Sequence, residues 1–136
     1  MVSTAAVVDN SVIISWACPK QASDYTERLL DELSSTILHT AFIWPAEYGN
    51  ATCTLVRRGI LSPQQGDEMI GMATSFQLTV DQAPPALAHL YKIAIRHDLS
   101  VYDAAYLELA LRLGVPLATR DEALAKAAKA AGLFFT

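Results

Sequence analysis

The sequence predicts an α/β protein: a single three-layer α/β/α domain, spanning residues 1–136, with a short-stranded and mainly parallel sheet. Short apolar runs alternate with segments of helical spacing, as in chains whose sheet is covered by helices on both faces. The length of 136 residues is sufficient for one hydrophobic core. Hydrophobic residues make up 52% of the chain and charged residues 18%, a composition that excludes a disordered protein.

The first half of the chain predicts two strands and three helices. The strands are two short apolar runs at residues 5–9 and 37–40. A helix over residues 11–18 is expected to stop at Pro19, since proline interrupts helical hydrogen bonding. The next helix carries Tyr25, Leu29 and Leu33 on one face, and the third begins near Trp44 and closes at Gly59.

The second half opens with a strong helix-start signal, in which Ser62 is the N-cap, Pro63 follows it and Gln65 completes a capping box. The remaining predicted elements come in this order: a strand at 76–80, a helix opened by Pro84 and Pro85, a helix running through Tyr102 and Tyr106 to Gly114, a strand at 116–119, a helix at 121–131 and a strand at 133–135.

The overall charge excludes one class of nucleic-acid binder. Fourteen acidic residues stand against ten lysines and arginines, a formal net charge of −4. A protein that wraps into a DNA groove carries a basic footprint, which is missing here. A nuclease stays open, because a locally bound metal ion can outweigh the average charge.

Three further features indicate a cytoplasmic protein without a membrane anchor. No apolar run reaches the roughly 18 residues that a membrane span needs. The N-terminal residues lack the pattern of a secretory signal peptide. Cys18 and Cys53 have no metal-ligand spacing. A disulfide between them is one reading, and two free thiols in a reducing compartment is the favoured one.

Four acidic residues fall where a parallel sheet gathers its ligands, at the carboxyl ends of the strands. Asp9 ends the first strand and Asp121 follows the fourth, while Glu47 and Asp103 lie near the starts of two helices. Two carboxylates about 4 Å apart repel by roughly 4 kcal/mol at an effective dielectric constant near 20. Such a cluster needs protons or a cation, and oxygen ligands alone predict Mg²⁺ or Mn²⁺. Taken singly, each acid is also a plausible helix cap or solvated side chain.

The sequence around these acids resembles that of the PIN-domain ribonucleases, and more closely that of the VapC-like toxins of type II toxin–antitoxin systems. Four motifs carry the resemblance: an Asp that ends a strand with a hydroxyl two residues on, a Glu on a helix with Asn three residues later, a Tyr-Asp-Ala-x-Tyr helix, and a Thr-x-Asp motif. They lie within residues 7–11, 44–50, 101–110 and 118–128. The resemblance covers essentially the whole chain.

The resemblance implies a metal-dependent endoribonuclease. Asp9, Glu47, Asp103 and Asp121 match the family's acidic metal-binding and catalytic quartet, which would hold Mg²⁺ or Mn²⁺. Supporting roles would fall to three polar residues and RNA backbone contact to one arginine, namely Ser11, Asn50, Thr119 and Arg120. The implied partners are an RNA substrate, a cognate antitoxin protein and a second copy of the chain in a homodimer.

Two other functions compete with this interpretation. One is a non-catalytic PIN-like module that binds RNA or protein, against which the presence of all four acids argues. The other is a phosphatase with Asp9 as nucleophile, whose usual pattern requires a second aspartate where this chain has Ser11. Setting the four proposed ligands aside leaves ten acidic and ten basic residues, so one metal site accounts for the acidic excess.

Overall fold

The computed structural model describes residues 5–136, which form a four-stranded sheet and seven α helices. The strands are β1 (Ala5–Val8), β2 (Ile37–Thr40), β3 (Thr79–Val80) and β4 (Leu117–Ala118). The helices are α1 (Asn10–Ala17), α2 (Asp24–Glu32), α3 (Trp44–Arg57), α4 (Pro63–Met72), α5 (Leu87–His97), α6 (Val101–Leu113) and α7 (Glu122–Ala130). Short 3₁₀ turns at Pro19–Gln21 and Ala73–Phe76 connect some of them.

All strand pairs are parallel, and the order across the sheet is β3-β2-β1-β4. In the central strand, Val7 pairs with His39 of β2 on one side and with Leu117 of β4 on the other. Residues 6–8 of that strand are fully buried. Because parallel strands end at the same edge, the residues that follow β1, β2 and β4 meet there.

Helices cover the sheet and pack on one another, which confirms the predicted α/β/α class. Helix α6 packs against β1, β4, α5 and α7, and α1 packs against α2 and α3. The largest fully buried side chains include Ile13, Leu29, Tyr106 and Leu107. Strong burial on both sides of a short sheet explains why its strands read as continuous apolar runs.

Helices α3 and α4 pack closely at one glycine. A Cβ atom built on Gly66 would lie 2.6 Å from Cγ2 of Val56, which is shorter than any ordinary contact. The same helix pair is joined by Tyr48, whose hydroxyl donates to the carbonyl of Met69 at 2.6 Å. The predicted capping box at the start of α4 is present, with Ser62 and Gln65 each accepting from the other's backbone N–H.

Three predicted element boundaries are wrong. The strand at 76–80 is only Thr79–Val80, because a 3₁₀ turn continues to Phe76 and Gln77 then adopts a left-handed conformation (φ 52°). The helix after Pro84 and Pro85 starts later, at Leu87, because its cap residue Ala86 is still extended.

The predicted last strand at 133–135 is also wrong as a strand. It is a single bridge between Leu117 and Phe134, since β4 is itself too short to support a longer ladder.

Both cysteines are free thiols, Cys18 buried and Cys53 exposed. The disulfide alternative is therefore not adopted. None of the helices between residues 5 and 136 combines the length and apolar character needed to cross a membrane.

Candidate metal centre

Asp9 lies at the carboxyl end of the central strand and is 4% exposed. Its side chain caps α1, where Oδ1 accepts from the backbone N–H of Val12 at 3.3 Å. The hydroxyl of Ser11 donates to the same oxygen at 2.6 Å, and Thr119 donates to Oδ2 at 2.5 Å. Both carboxylate oxygens are therefore held in place. Asp9 caps α1 and is also a candidate metal ligand, so the helix-cap and metal-ligand interpretations of this residue are compatible.

Burial raises the pKa of Asp9 from 3.8 to about 6. The hydrogen bonds from Ser11, Thr119 and the Val12 backbone oppose that rise, and the negative charge of Asp103 adds to it. A carboxyl that needs three donors and still has a raised pKa is one whose charge lacks compensation.

The loop between β4 and α7 is tied to the same point. Thr119 accepts from the backbone N–H of Asp121 at 2.9 Å, and Ser11 accepts from the backbone N–H of Arg120 at 2.9 Å. Asp121 caps α7 through Oδ2, which accepts from Leu124 at 2.8 Å. The two hydroxyls thus bridge the ends of β1 and β4 and hold the backbone of Arg120 and Asp121 at the end of β1.

Glu47 and Asp103 come from helices α3 and α6. Glu47 lies in the first turn of α3 and is partly buried. The hydroxyl of Tyr106, one turn after Asp103 on α6, donates to Oε1 of Glu47 at 2.5 Å. The hydroxyl of Ser100 caps α6 and accepts from the Asp103 backbone at 3.0 Å. These contacts bring the start of α6 to the start of α3.

The charges of the four carboxylates act on one another. Burial, followed by the negative charges of Asp121 and Glu47, raises the pKa of Asp103 from 3.8 to about 6. Together with the effect of Asp103 on Asp9, these interactions link all four predicted acids into one electrostatic cluster. The structure brings the four predicted acids to one edge of the sheet; their role as ligands stays a prediction.

The four carboxylates do not converge closely enough to form a ready-made metal site. Within residues 5–136, no three His, Cys, Asp or Glu side chains are close enough together to hold a metal ion as they stand. The donor set itself, four carboxylates with two raised pKa values, has the chemistry that Mg²⁺ or Mn²⁺ requires.

The other predicted site residues lie at the periphery. Asn50 is exposed on α3 and makes no side-chain hydrogen bond with any residue from 5 to 136. The guanidinium of Arg120 donates through Nη1 to the carbonyl of Gln21 at 2.5 Å. Arg120 is exposed and keeps further N–H groups for other contacts.

Tyr106 ends the Tyr-Asp-Ala-x-Tyr motif, but the sequence predicted no role for it at the site. It is 1% exposed, and burial followed by its contact with Glu47 raises the pKa of its hydroxyl strongly. Its spacing of three from Asp103 was the available signal, because residues three apart share a helix face. Its partner 59 positions away was not visible in the sequence.

A separate groove lies away from these residues. It has a volume of about 780 Å³ and is formed by α5 and α6. None of the predicted site residues lines it. The acidic cluster is instead an open edge of the sheet.

The parallel sheet and the acidic cluster at its strand ends place this chain in a class, the α/β proteins with a carboxylate site at the carboxyl ends of the strands. Within this class, the family model of the PIN domain matches residues 6–130. The chain belongs to the PIN-domain family.

Two named relatives are similar along most of their length. Ribonuclease VapC3 of Pyrobaculum aerophilum is 32% identical over 122 residues, covering 88% of this chain and 92% of that protein. Ribonuclease VapC1 of Mycobacterium tuberculosis is 33% identical over 124 residues, covering 89% of each. The resemblance to VapC-like PIN ribonucleases is thereby confirmed.

A solved structure has the same fold. The crystal structure of PAE2754 from Pyrobaculum aerophilum superposes with a TM-score of 0.72, covering 93% of this chain and 86% of that one. At 22% identity, this likeness concerns the fold alone.

Proposed function

We propose that this chain is a metal-dependent endoribonuclease that acts as the toxin of a toxin–antitoxin pair. One observation carries the proposal: four carboxylates from four parts of the chain lie at one sheet edge, where burial and neighbouring negative charges raise the pKa values of Asp9 and Asp103. A cluster of one buried and three partly buried carboxylates needs a counter-charge, and a divalent cation would supply it. The ribonuclease relatives support RNA as the substrate.

In this proposal Asp9, Glu47, Asp103 and Asp121 hold Mg²⁺ or Mn²⁺. When bound, the cation would activate a water molecule for attack on phosphorus and would neutralise charge on the leaving oxygen. The protein's own contribution is orientation. Ser11 and Thr119 fix both oxygens of Asp9, so this carboxylate keeps its position whether or not a cation is bound.

Contact with the RNA backbone falls to exposed basic groups near the cluster. Arg120 directly precedes Asp121, and only one of its N–H groups is used by Gln21. We propose that the remaining groups bind a phosphate of the substrate. Phosphate contacts position RNA without reading its sequence, so this residue governs affinity rather than target choice.

The proposed partners are a cognate antitoxin and a second copy of the chain. Helix α5 exposes a row of apolar side chains at spacings of four, Leu87, Tyr91 and Ile95, each more than half exposed. We name this row the α5 stripe. Tyr91 and Ile95 also line the groove between α5 and α6, together with Leu111. A twofold dimer that pairs the α5 stripe of one copy with that of the other would bury this surface.

We place the assembly in the cytoplasm, where free thiols persist.

The phosphatase alternative is not favoured by the geometry. A phosphatase of this kind would use Asp9 as the nucleophile together with a second aspartate two residues on. The position two residues on is Ser11, which donates to Asp9 rather than supplying a second carboxylate.

Purified protein incubated with RNA tests the proposed activity. Cleavage is expected with Mg²⁺ or Mn²⁺, and is expected to stop on chelation and in Asp9→Asn. Asp67→Asn is a matched control, because Asp67 is an exposed acid on α4 outside the cluster. Cleavage that survives chelation contradicts metal dependence. RNA binding without cleavage would favour the non-catalytic module instead.

The toxin role has a separate test in cells. Expression of the chain alone is expected to arrest growth, and co-expression of the small protein encoded beside it is expected to relieve the arrest. The Asp9→Asn variant controls for effects of expression itself. Harmless expression of a demonstrably active nuclease would contradict the toxin assignment and leave the ribonuclease assignment standing.

A further inference from the structure

Tyr106 joins two helices through one short hydrogen bond. Its hydroxyl donates to Oε1 of Glu47 at 2.5 Å, and the two residues are 59 positions apart. The tyrosine side chain is 1% exposed, whereas that of Glu47 is only partly buried. The bond therefore runs from a fixed side chain in the core to a carboxylate at the site.

The aromatic ring of Tyr106 packs in the core as a phenylalanine ring would, so the hydroxyl serves only as a hydrogen-bonding group. A buried phenol must find a partner, and the hydrogen bonds that involve a charged acceptor are the stronger ones. Here that acceptor is one oxygen of Glu47. Within residues 5–136, the other oxygen, Oε2, accepts no hydrogen bond. The contact thus leaves the carboxylate one engaged and one available oxygen.

Helix α6 acts on the cluster at two points one turn apart. Asp103 contributes its own carboxylate, and Tyr106 holds the carboxylate of Glu47. A long glutamate side chain has three rotatable bonds and loses considerable freedom when it is fixed. The phenol fixes it before any ligand arrives, which is how supporting residues raise the affinity of metal sites.

We propose that Tyr106 is the positioning residue for Glu47, holding Oε1 so that Oε2 is the oxygen left for a divalent cation. The inference rests on the proposed function, because it takes Glu47 to be a metal ligand. It goes beyond that function by assigning a role to a side chain outside the acidic quartet.

Mn²⁺ binding, measured by titration calorimetry without RNA, is the direct test. Tyr106→Phe removes only the hydroxyl and is expected to weaken Mn²⁺ binding about tenfold or more. Glu47→Gln is expected to weaken it as well. The double variant should be no weaker than Glu47→Gln alone, since in this proposal the tyrosine acts on the cation through that carboxylate.

Tyr48→Phe is the matched control. Tyr48 is on the same helix as Glu47, is 2% exposed and donates an equally short bond of 2.6 Å, but to the backbone of Met69. Its loss should lower thermal stability and leave Mn²⁺ affinity unchanged. Equal weakening in Tyr48→Phe and Tyr106→Phe would overturn the positioning role, because both would then act through general stability.

The remaining outcomes separate this inference from the proposed function. If Glu47→Gln and Asp9→Asn weaken Mn²⁺ binding but Tyr106→Phe does not, the inference is overturned and the metal site stands. If the wild-type protein binds no Mn²⁺, both are overturned.

Cleavage kinetics give a second measurement. Tyr106→Phe should need about tenfold more Mg²⁺ for half-maximal cleavage, with most of the rate regained at saturating Mg²⁺. A fall in rate that Mg²⁺ does not restore would overturn the inference.

A third measurement needs no variant at position 106. Tyrosine absorbance of the wild-type protein should change as Mn²⁺ is added, because the cation polarises the carboxylate to which Tyr106 donates. The change should persist in Tyr48→Phe. An unchanged tyrosine spectrum at saturating Mn²⁺ would overturn the inference even if Tyr106→Phe failed to fold.

Discussion

Thr119 donates a hydrogen bond to Asp9 at 2.5 Å, across 110 residues of sequence. The same hydroxyl accepts from the backbone N–H of Asp121, so one side chain orients two of the proposed ligands. Thr119 is 1% exposed and follows β4, the neighbour of the central strand. The contact exists because β1 and β4 pair in parallel and end together.

Replacing this hydroxyl is expected to impair the nuclease while leaving the fold intact. Thr119→Val keeps the shape of the side chain but removes the donor to Asp9 and the acceptor for Asp121. We expect the rate of RNA cleavage at limiting Mg²⁺ to fall about 10- to 100-fold, as for other supporting residues of metal sites.

Thr52→Val provides the comparison for Thr119→Val. Thr52 is 3% exposed and donates to a carbonyl within α3 at 2.9 Å. It should lose roughly 1 kcal/mol of stability without a change in cleavage. A Thr119→Val protein that cleaves RNA like the wild type would show that Asp9 needs no second donor.

The acidic cluster is expected to destabilise the metal-free protein at neutral pH. The pKa of Asp103 is about 6 in the folded chain, against 3.8 for its ordinary value. The folded state therefore binds this proton more tightly, and the stability it contributes is present below about pH 3.8 and lost as the pH rises through about 6. In chelator near neutral pH, Asp103→Asn should raise Tm by a few degrees.

Two conditions should remove this gain in Tm. Below about pH 3.8 the carboxyl is protonated in both states, so the variant and the wild type should melt with little difference. Saturating Mg²⁺ should stabilise the wild type more than Asp103→Asn, since the ion binds the folded state. A variant less stable than the wild type in chelator would contradict the expected repulsion.

The close approach of α3 and α4 predicts opposite effects for two glycines of one helix. Gly66→Ala places a methyl group 2.6 Å from Cγ2 of Val56, a stiff β-branched side chain, and should cost about 1–3 kcal/mol. Gly71→Ala meets nothing within 4 Å and should be neutral or stabilising by up to about 1 kcal/mol. Denaturant unfolding of both variants measures the difference. Equal stabilities would contradict the packing contact.

The α5 stripe predicts the effect of a single charge on assembly. Ile95→Glu places a carboxylate in the proposed dimer contact and should weaken dimerisation at least about tenfold. Light scattering across a concentration series measures this. Ile70→Glu, at a 51% exposed position on α4, should leave the dimer intact. A wild-type protein that stays monomeric at high concentration would contradict the homodimer.

The hydrophobic pattern was sufficient for the fold class because each strand and helix buries a continuous or periodic apolar face. The same pattern was insufficient where turn residues and strand length decide where an element begins or ends. The apolar run from Leu133 to Phe135 resembles a strand, yet it forms only the bridge between Leu117 and Phe134, because β4 has only two residues. Pro84 and Pro85 resemble a helix start, but the chain stays extended to Ala86.

The acids of the site were predictable because strand ends and helix starts are marked in the sequence. The hydrogen bonds that support these acids were harder to predict from the sequence. Ser11 and Thr119 came from a family resemblance, and their common target, Asp9, became clear only when β1 and β4 were placed side by side. The bonds of Tyr106 to Glu47 and of Arg120 to Gln21 join segments that no local pattern connects.

The order of the strands has a consequence for synthesis of the protein. The central strand is made first, and its neighbour β4 is made last, more than 100 residues later. A growing chain on the ribosome therefore carries Asp9 and Glu47 long before Thr119 and Asp121 can join them. A nascent chain holds only part of the site. The candidate site therefore stays incomplete until the chain through Asp121 has been made.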